Sequence, residues 1–237
     1  MKTSFARDMV ARTEEGTAAL LRAVAPAFAG RDHLTLGALA AGETAAWSGL
    51  FNWRTVGSLT TLTVPVLLAL RPDCSPETRV GLIASAVGQA AKRGKNGQPA
   101  TPTALGVTCV TAQYGAFAGE LRGARNDAMG WSLRAGAWAL GIALARTRDE
   151  RLATAVAGVP AAALSALAGD PALRATDATQ GLSHGANLLL ASEAATVLGT
   201  RSAQYPVVGR ILAAGQSAAQ TVGLVLLVDG LARRGRR

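Results

Sequence analysis

The sequence predicts an all-α protein, a polytopic membrane bundle of about eight transmembrane helices with an N-terminal amphipathic helix. Three observations carry that expectation. The 237 residues are 49% hydrophobic and only 16% charged, where an average soluble domain carries about 25% charged residues. β-branched residues nowhere alternate for long with polar ones, so the period-2 pattern of strands is missing. Apolar segments recur along the chain, separated by short punctuators in which arginine or lysine accompanies Pro, Gly, Asn or Asp. Those residue types stop helices and make turns.

The elements follow in order. Residues 1–32 form an amphipathic arm, in which Phe5, Met9, Leu20, Val24 and Phe28 fall roughly on one helical face. A secretory signal would have a clean apolar core, but Asp8, Glu14, Glu15 and Arg22 interrupt this one. Such a helix lies on a membrane surface or packs on the bundle. The transmembrane domain spans 33–230, with apolar segments at 33–50, 54–70, 79–91, 102–121, 128–145, 151–168, 181–199 and 207–229. Most approach the ~20 residues needed to cross a bilayer; the third is short and ends at Lys92. Residues 231–237 form a basic tail.

Small residues dominate these segments, as in "AGAWALGIALA" and "AGVPAAALSALAG". In lipid, small residues let helix backbones approach closely. A soluble Ala-rich bundle would instead need polar faces repeating every turn, and segments 54–70 and 151–168 do not offer them.

Net charge is +9. The basic residues sit singly between apolar segments with no aromatic-studded basic face, which argues against nucleic acid and for anionic lipid headgroups as the counter-charge. With eight spans both termini share a side. That side collects fourteen basic residues against nine on the other, so the positive-inside rule favours cytoplasmic termini, although the internal loops alone point the other way. The expected location is a cell membrane. Cys74 and Cys109 form no disulfide framework and no CxxC site.

An ionisable residue at membrane depth costs several kcal/mol, from roughly 2.5 upward, and marks a functional position by default. Glu43 lies in the first segment, and His184 and Glu193 in the seventh. Gln89, Gln113, Asn187, Gln216 and Gln220 add amides on the third, fourth, seventh and eighth segments, Gln216 and Gln220 sharing a face at i, i+4. If these faces converge they outline a polar cavity. The alternative is that they join helices by hydrogen bonds. A carboxyl in low dielectric has a raised pKa and is either a passive donor or a general acid. No nucleophile dyad, GxSxG, P-loop or paired metal ligand occurs; no cofactor or metal is expected, and any chemistry would be acid–base with water.

With these residues in place, the chain resembles the lysoplasmalogenase (YhhN) family over about residues 33–230. The seventh segment, "GANLLLASEAATV", has Ser192-Glu193 where the family has Ser-Asp. In the eighth, "GQSAAQ" sets Gln216 at a tyrosine position and Ala219-Gln220 at an Ala-Gln. Val64-Pro65 corresponds to the family's Lys-Pro, Gly88-Gln89 to its Gly-Asp, and Gln113 to its histidine. The resemblance implies an eight-span enzyme of a bacterial cell membrane that cleaves the vinyl ether of lysoplasmalogens and releases a fatty aldehyde. It also implies that an aspartate pair, one in the third segment and one in the seventh, does the acid–base work. Here that pair is Gln89 and Glu193. Glu193 is therefore the expected catalytic acid, with Gln89, Gln113, Gln216, Gln220, Glu43 and Asn187 as the expected pocket. Glu43 could supply a second carboxyl, although the family does not mark it.

The expected partner is a membrane lipid or lysophospholipid, with a homo-oligomer or membrane partner docking through residues 1–32 as a further possibility. The competing expectations are a non-catalytic binder of a lipid or amphiphile, and a subunit of a membrane complex. A transporter is disfavoured, because no repeat relates 33–121 to 128–229.

Overall fold

The computed structural model describes residues 2–91, 102–202 and 204–236. All regular structure among them is helical: α1 (Lys2–Phe28), α2 (His33–Phe51), α3 (Arg54–Ala69), α4 (Pro76–Ala91), α5 (Ala104–Glu120), α6 (Ala128–Leu144), α7 (Arg148–Ala168), α8 (Pro171–Arg174), α9 (Gln180–Arg201) and α10 (Pro206–Gly235). The eight apolar segments fall on α2 to α7, α9 and α10. The arm is α1, and α8 is a single extra turn.

Local sequence sets these limits. The side chains of Asp32, Thr103, Asp127 and Thr147 each accept a backbone N–H three residues on, at the starts of α2, α5, α6 and α7. These are N-caps, which satisfy donors the first helical turn leaves open. At α7 the cap is a full capping box, because Glu150 reaches back to the Thr147 N–H. Asn52 ends α2 in the left-handed region, with φ 60°. The expected third segment begins three residues early, at Pro76, which suits a helix start. α10 runs on to Gly235 with Leu231 buried, so most of the expected basic tail is helix.

Helices α2, α3, α4, α5, α7, α9 and α10 pack in that order into a ring that closes from α10 onto α2, and α6 sits outside against α7 and α9. Small residues permit the close seams. A Cβ on Gly42 would lie 2.2 Å from Thr221, and one on Gly81 would lie 2.7 Å from the Phe117 ring. Leu68, Leu82, Phe117, Leu164, Leu189, Leu224 and Leu227 fill the interior.

One end of the bundle gathers the C-terminal half of α1 and the last turns of α10. Arg71 is buried there. It donates to both carboxylate oxygens of Asp73 at 3.0 and 2.9 Å and to the Thr35 hydroxyl at 2.9 Å, with Asp32 at 3.2 Å. Arg236 reaches the same Asp73 at 2.7 Å. Hydrogen bonding from Arg71 holds the Asp73 carboxyl below the ordinary aspartate range. Burial pushes the neighbouring Cys74 thiol up to about 11. Helix α1 packs on this end, burying Ala19, Ala23, Val24 and Ala27. Arg22 donates to Gln180 at 2.7 Å. The arm thus packs against α2, α9 and α10 and leaves Met9, Val10, Leu21 and Phe28 exposed.

The outer surface is apolar along much of the helix length. Leu59 of α3, Ile83 of α4, Leu133 and Leu140 of α6, Leu152 of α7 and Ile211 of α10 are all more than half exposed. At the end opposite Arg71 and Asp73, Trp47, Phe51 and Trp53 stack in series at 5.9 and 5.3 Å between ring centroids, and Tyr205 is exposed. Among the described residues two helices, α7 and α10, are long and apolar enough to cross a membrane.

Candidate functional site

A cavity of about 250 Å³ lies between α5, α6, α7 and α9. Its outer portion is formed by Ala91, Pro102, Thr103, Ala145 and Glu150, at the end away from Arg71 and Asp73. Its inner wall includes Val110, Trp138, Ala157, Leu190 and Glu193. The lining is mostly small and apolar, as expected where alanine and glycine dominate the helices. Gly158 is required: a Cβ there would lie 2.4 Å from the Trp138 ring. That ring donates its N–H to the carbonyls of Thr154 and Ala155 at 3.2 and 3.3 Å, fixing α6 on α7.

Glu193 presents its carboxyl at this wall, one turn beyond Leu190. The Tyr114 hydroxyl donates to its Oε1 at 3.1 Å. Tyr114 is only 2% exposed, so its hydroxyl has no water to turn to and the bond orients the carboxyl. A second carboxyl, Glu150, lines the outer part of the same cavity. It already accepts the backbone N–H groups of Arg146 at 2.8 Å and Thr147 at 3.2 Å. Among the described residues no three His, Cys, Asp or Glu side chains come together as a metal site requires.

Of the seven expected site residues, only Glu193 lines this cavity. Gln89 on α4 and Gln113 on α5 are buried outside its lining. Gln220 is buried on α10, where its Oε1 accepts no hydrogen bond, and Gln216 is half-buried one turn earlier. Asn187 is half-buried and accepts a hydrogen bond from Ser165 at 2.7 Å, joining α7 to α9. Glu43 is exposed on the outer face of α2, where it accepts a long hydrogen bond of 3.4 Å from Trp47. The single convergent polar cavity expected from these seven residues therefore gives way to a mostly apolar cavity that Glu193 alone of the seven lines. The physical reason is that the helices are Ala-rich nearly all round, so periodicity cannot tell which face turns inward.

Sequence reasoning missed Tyr114, Trp138 and Glu150. Tyr114 carried a signal, being one of only two tyrosines in the chain and adjacent to Gln113. Glu150 carried a misleading one, because a Thr-x-x-Glu pattern before an apolar run reads as a capping box, and it forms one. Comparison with protein-family models, curated proteins and solved structures finds no match to this chain.

Proposed function

We propose that the chain is an integral membrane protein of eight spanning helices, α2 to α7, α9 and α10, whose cavity takes the hydrocarbon of a lysophospholipid-type amphiphile. Glu193 then acts on it as a general acid. The observation that carries this reading is the Glu193 carboxyl, oriented by Tyr114 at the wall of a mostly apolar cavity. The broad apolar exterior supports the membrane, because soluble monomers rarely expose contiguous apolar patches beyond a few hundred Å². The aromatic cluster at one rim suits a membrane–water interface. Bacterial origin and cytoplasmic termini belong to the same proposal.

The chemistry that fits one acid in this setting is vinyl ether hydrolysis, as the resemblance to lysoplasmalogenases implies. Glu193 gives its proton to the β-carbon of the vinyl ether. Water adds to the resulting oxocarbenium carbon and returns a proton to the carboxylate. The hemiacetal then collapses to a fatty aldehyde and the glycerophospho-alcohol. One carboxyl can serve as acid and then as base, as in retaining glycosidases. Tyr114 orients Glu193 for both steps, and no further residue is assigned a proton.

The test is aldehyde release from a lysoplasmalogen by purified protein in lipid nanodiscs. Loss of a general acid costs about 10²–10⁴ in rate, and Glu193→Gln is expected to lose that much. A folded wild type that releases no aldehyde rules out the hydrolase. The use of Glu150 Oε2 by two backbone N–H groups at the helix cap favours a second reading, a binding protein without turnover. In that case a lysophospholipid raises the melting temperature and no product forms.

A further inference from the structure

We propose that the Glu193 cavity has a second opening on the side of the bundle, between α6 and α9, through which the end of a long lipid chain passes out, and that Ala137 and Ala194 keep it open. The inference rests on the cavity taking a lipid chain. Ala137 of α6 and Ala194 of α9 both line the cavity, and both are exposed. Each belongs to a stripe on the outer face of its own helix. Leu133 and Leu140, one turn to either side of Ala137, are exposed on α6. Ala191 and Leu198, one turn to either side of Ala194, are exposed on α9. None of these four lines the cavity, so the two alanines mark where the lumen meets the outer surface. The arrangement of α6 explains the gap. Trp138 turns from α6 onto the carbonyls of Thr154 and Ala155, so α6 is held on α7 and meets α9 only slightly. Arg201 of α9 does reach the Leu144 carbonyl, but at the last turn of α6. Ala137 lies about half-way along that helix.

Size and chemistry select the occupant. The cavity holds about 250 Å³, below the roughly 300–1,000 Å³ of pockets that enclose a drug-sized ligand. A long alkyl chain has as many heavy atoms as such a ligand, so its end must lie outside. A helix from a partner fits less well, because one turn about 10 Å across and 5.4 Å high fills about 400 Å³. The side chains at the opening and on its flanks are alanine and leucine, which offer a polar ligand no hydrogen bond. The outer end of the cavity, by contrast, presents the Thr103 hydroxyl and the Glu150 carboxyl, and a chain leaving there would strip water from both at a cost. At the side opening the emerging end rejoins the hydrocarbon of the bilayer and exposes no apolar surface to water. The cavity therefore sets no upper limit on chain length, and its ligands are single-chain amphiphiles with medium or long chains alike.

The experiment gives full-length protein in phosphatidylcholine nanodiscs either octanoyl- or stearoyl-lysophosphatidylcholine. The readout is the lysolipid concentration that half-saturates the rise in melting temperature. Variants are compared for one lipid at a time, so that partition into the bilayer cancels. Wild type binds both lipids. Ala194→Phe plugs the opening; it binds the octanoyl lipid as wild type does, which also shows that it is folded, and the stearoyl lipid about tenfold or more weakly, as forcing a chain into filled space costs. Ala137→Phe plugs the same opening from α6 and gives the same result, which covers a folding failure of the first variant. Ala191→Phe, on the outer face one turn from Ala194, changes neither affinity. Stearoyl binding by Ala194→Phe equal to wild type, or an equal loss of both lipids, overturns the side opening. So does a wild type that binds the octanoyl lipid alone, although the cavity then still takes a chain. A wild type that binds neither overturns the lipid cavity itself and this inference with it.

Discussion

Replacing Gly185 with alanine tests the claim that small residues set the spacing of the bundle. Gly185 faces Gly223 across the α9–α10 seam. An added Cβ would lie 2.7 Å from the Gly223 carbonyl oxygen and 2.8 Å from the Leu227 nitrogen. Both are backbone atoms, so no rotamer change relieves them. Ordinary contact begins near 3.4 Å, so the two helices must part by about 0.7 Å along that line. Overpacking of this kind costs about 1–3 kcal/mol. For a chain of this length each kcal/mol moves the melting temperature by about 2–4 °C, giving a fall of about 2–12 °C. Gly215 on α10 is the matched control: nothing lies within 4 Å of its Cβ position, and Gly215→Ala should be neutral or stabilising by up to about 1 kcal/mol. Tryptophan fluorescence during thermal unfolding in nanodiscs reads both. If Gly185→Ala melts with Gly215→Ala, the seam is looser than described and the reasoning fails.

Three further outcomes are expected. Tyr114→Phe removes the hydroxyl that orients Glu193 and should slow aldehyde release by about tenfold with little change in melting temperature; an unchanged rate would detach Tyr114 from the chemistry. Asp73 has its folded-state pKa lowered by Arg71, so its stabilising effect is full above the ordinary aspartate range and is lost as pH falls through the lower folded value. Melting temperature should therefore fall as pH drops below about 4, and Asp73→Asn should flatten that fall; an equally steep fall in the variant would assign it to other groups. Cys74, buried with its pKa raised to about 11, should resist iodoacetamide at pH 8 until the protein unfolds; rapid labelling of folded protein would contradict that burial.

The helices were legible and their faces were not. Punctuators such as "RPDCSPET" and "RTRDE" carry Pro, Asp and Thr where turns and caps require them, so α2 to α7, α9 and α10 follow directly from composition. The ring order and the inward face of each helix depend on which small residues abut. Alanine and glycine on every side of a helix such as α7 leave no amphipathic stripe from which to read that. Glu193 could be singled out because a carboxyl has few tolerable surroundings in an apolar helix. Gln89, Gln113 and Gln220 could not be sorted the same way, because an amide serves equally well as a helix-to-helix bond or a pocket wall. The packing of α1 was open for a related reason: its alternating charges and alanines suit a lipid surface and a protein surface alike.

The central claim is that Glu193 delivers a proton to carbon inside the α5–α6–α7–α9 cavity, and solvent labelling tests it most directly. Full-length protein in nanodiscs is given a lysoplasmalogen in deuterium oxide, and the aldehyde is reduced at once to its alcohol for mass spectrometry. The account predicts one deuterium at the carbon beside the former carbonyl carbon, formed by wild type at a rate that Glu193→Gln lowers by at least about 10². Aldehyde lacking that deuterium, or formed equally fast by Glu193→Gln, would contradict it.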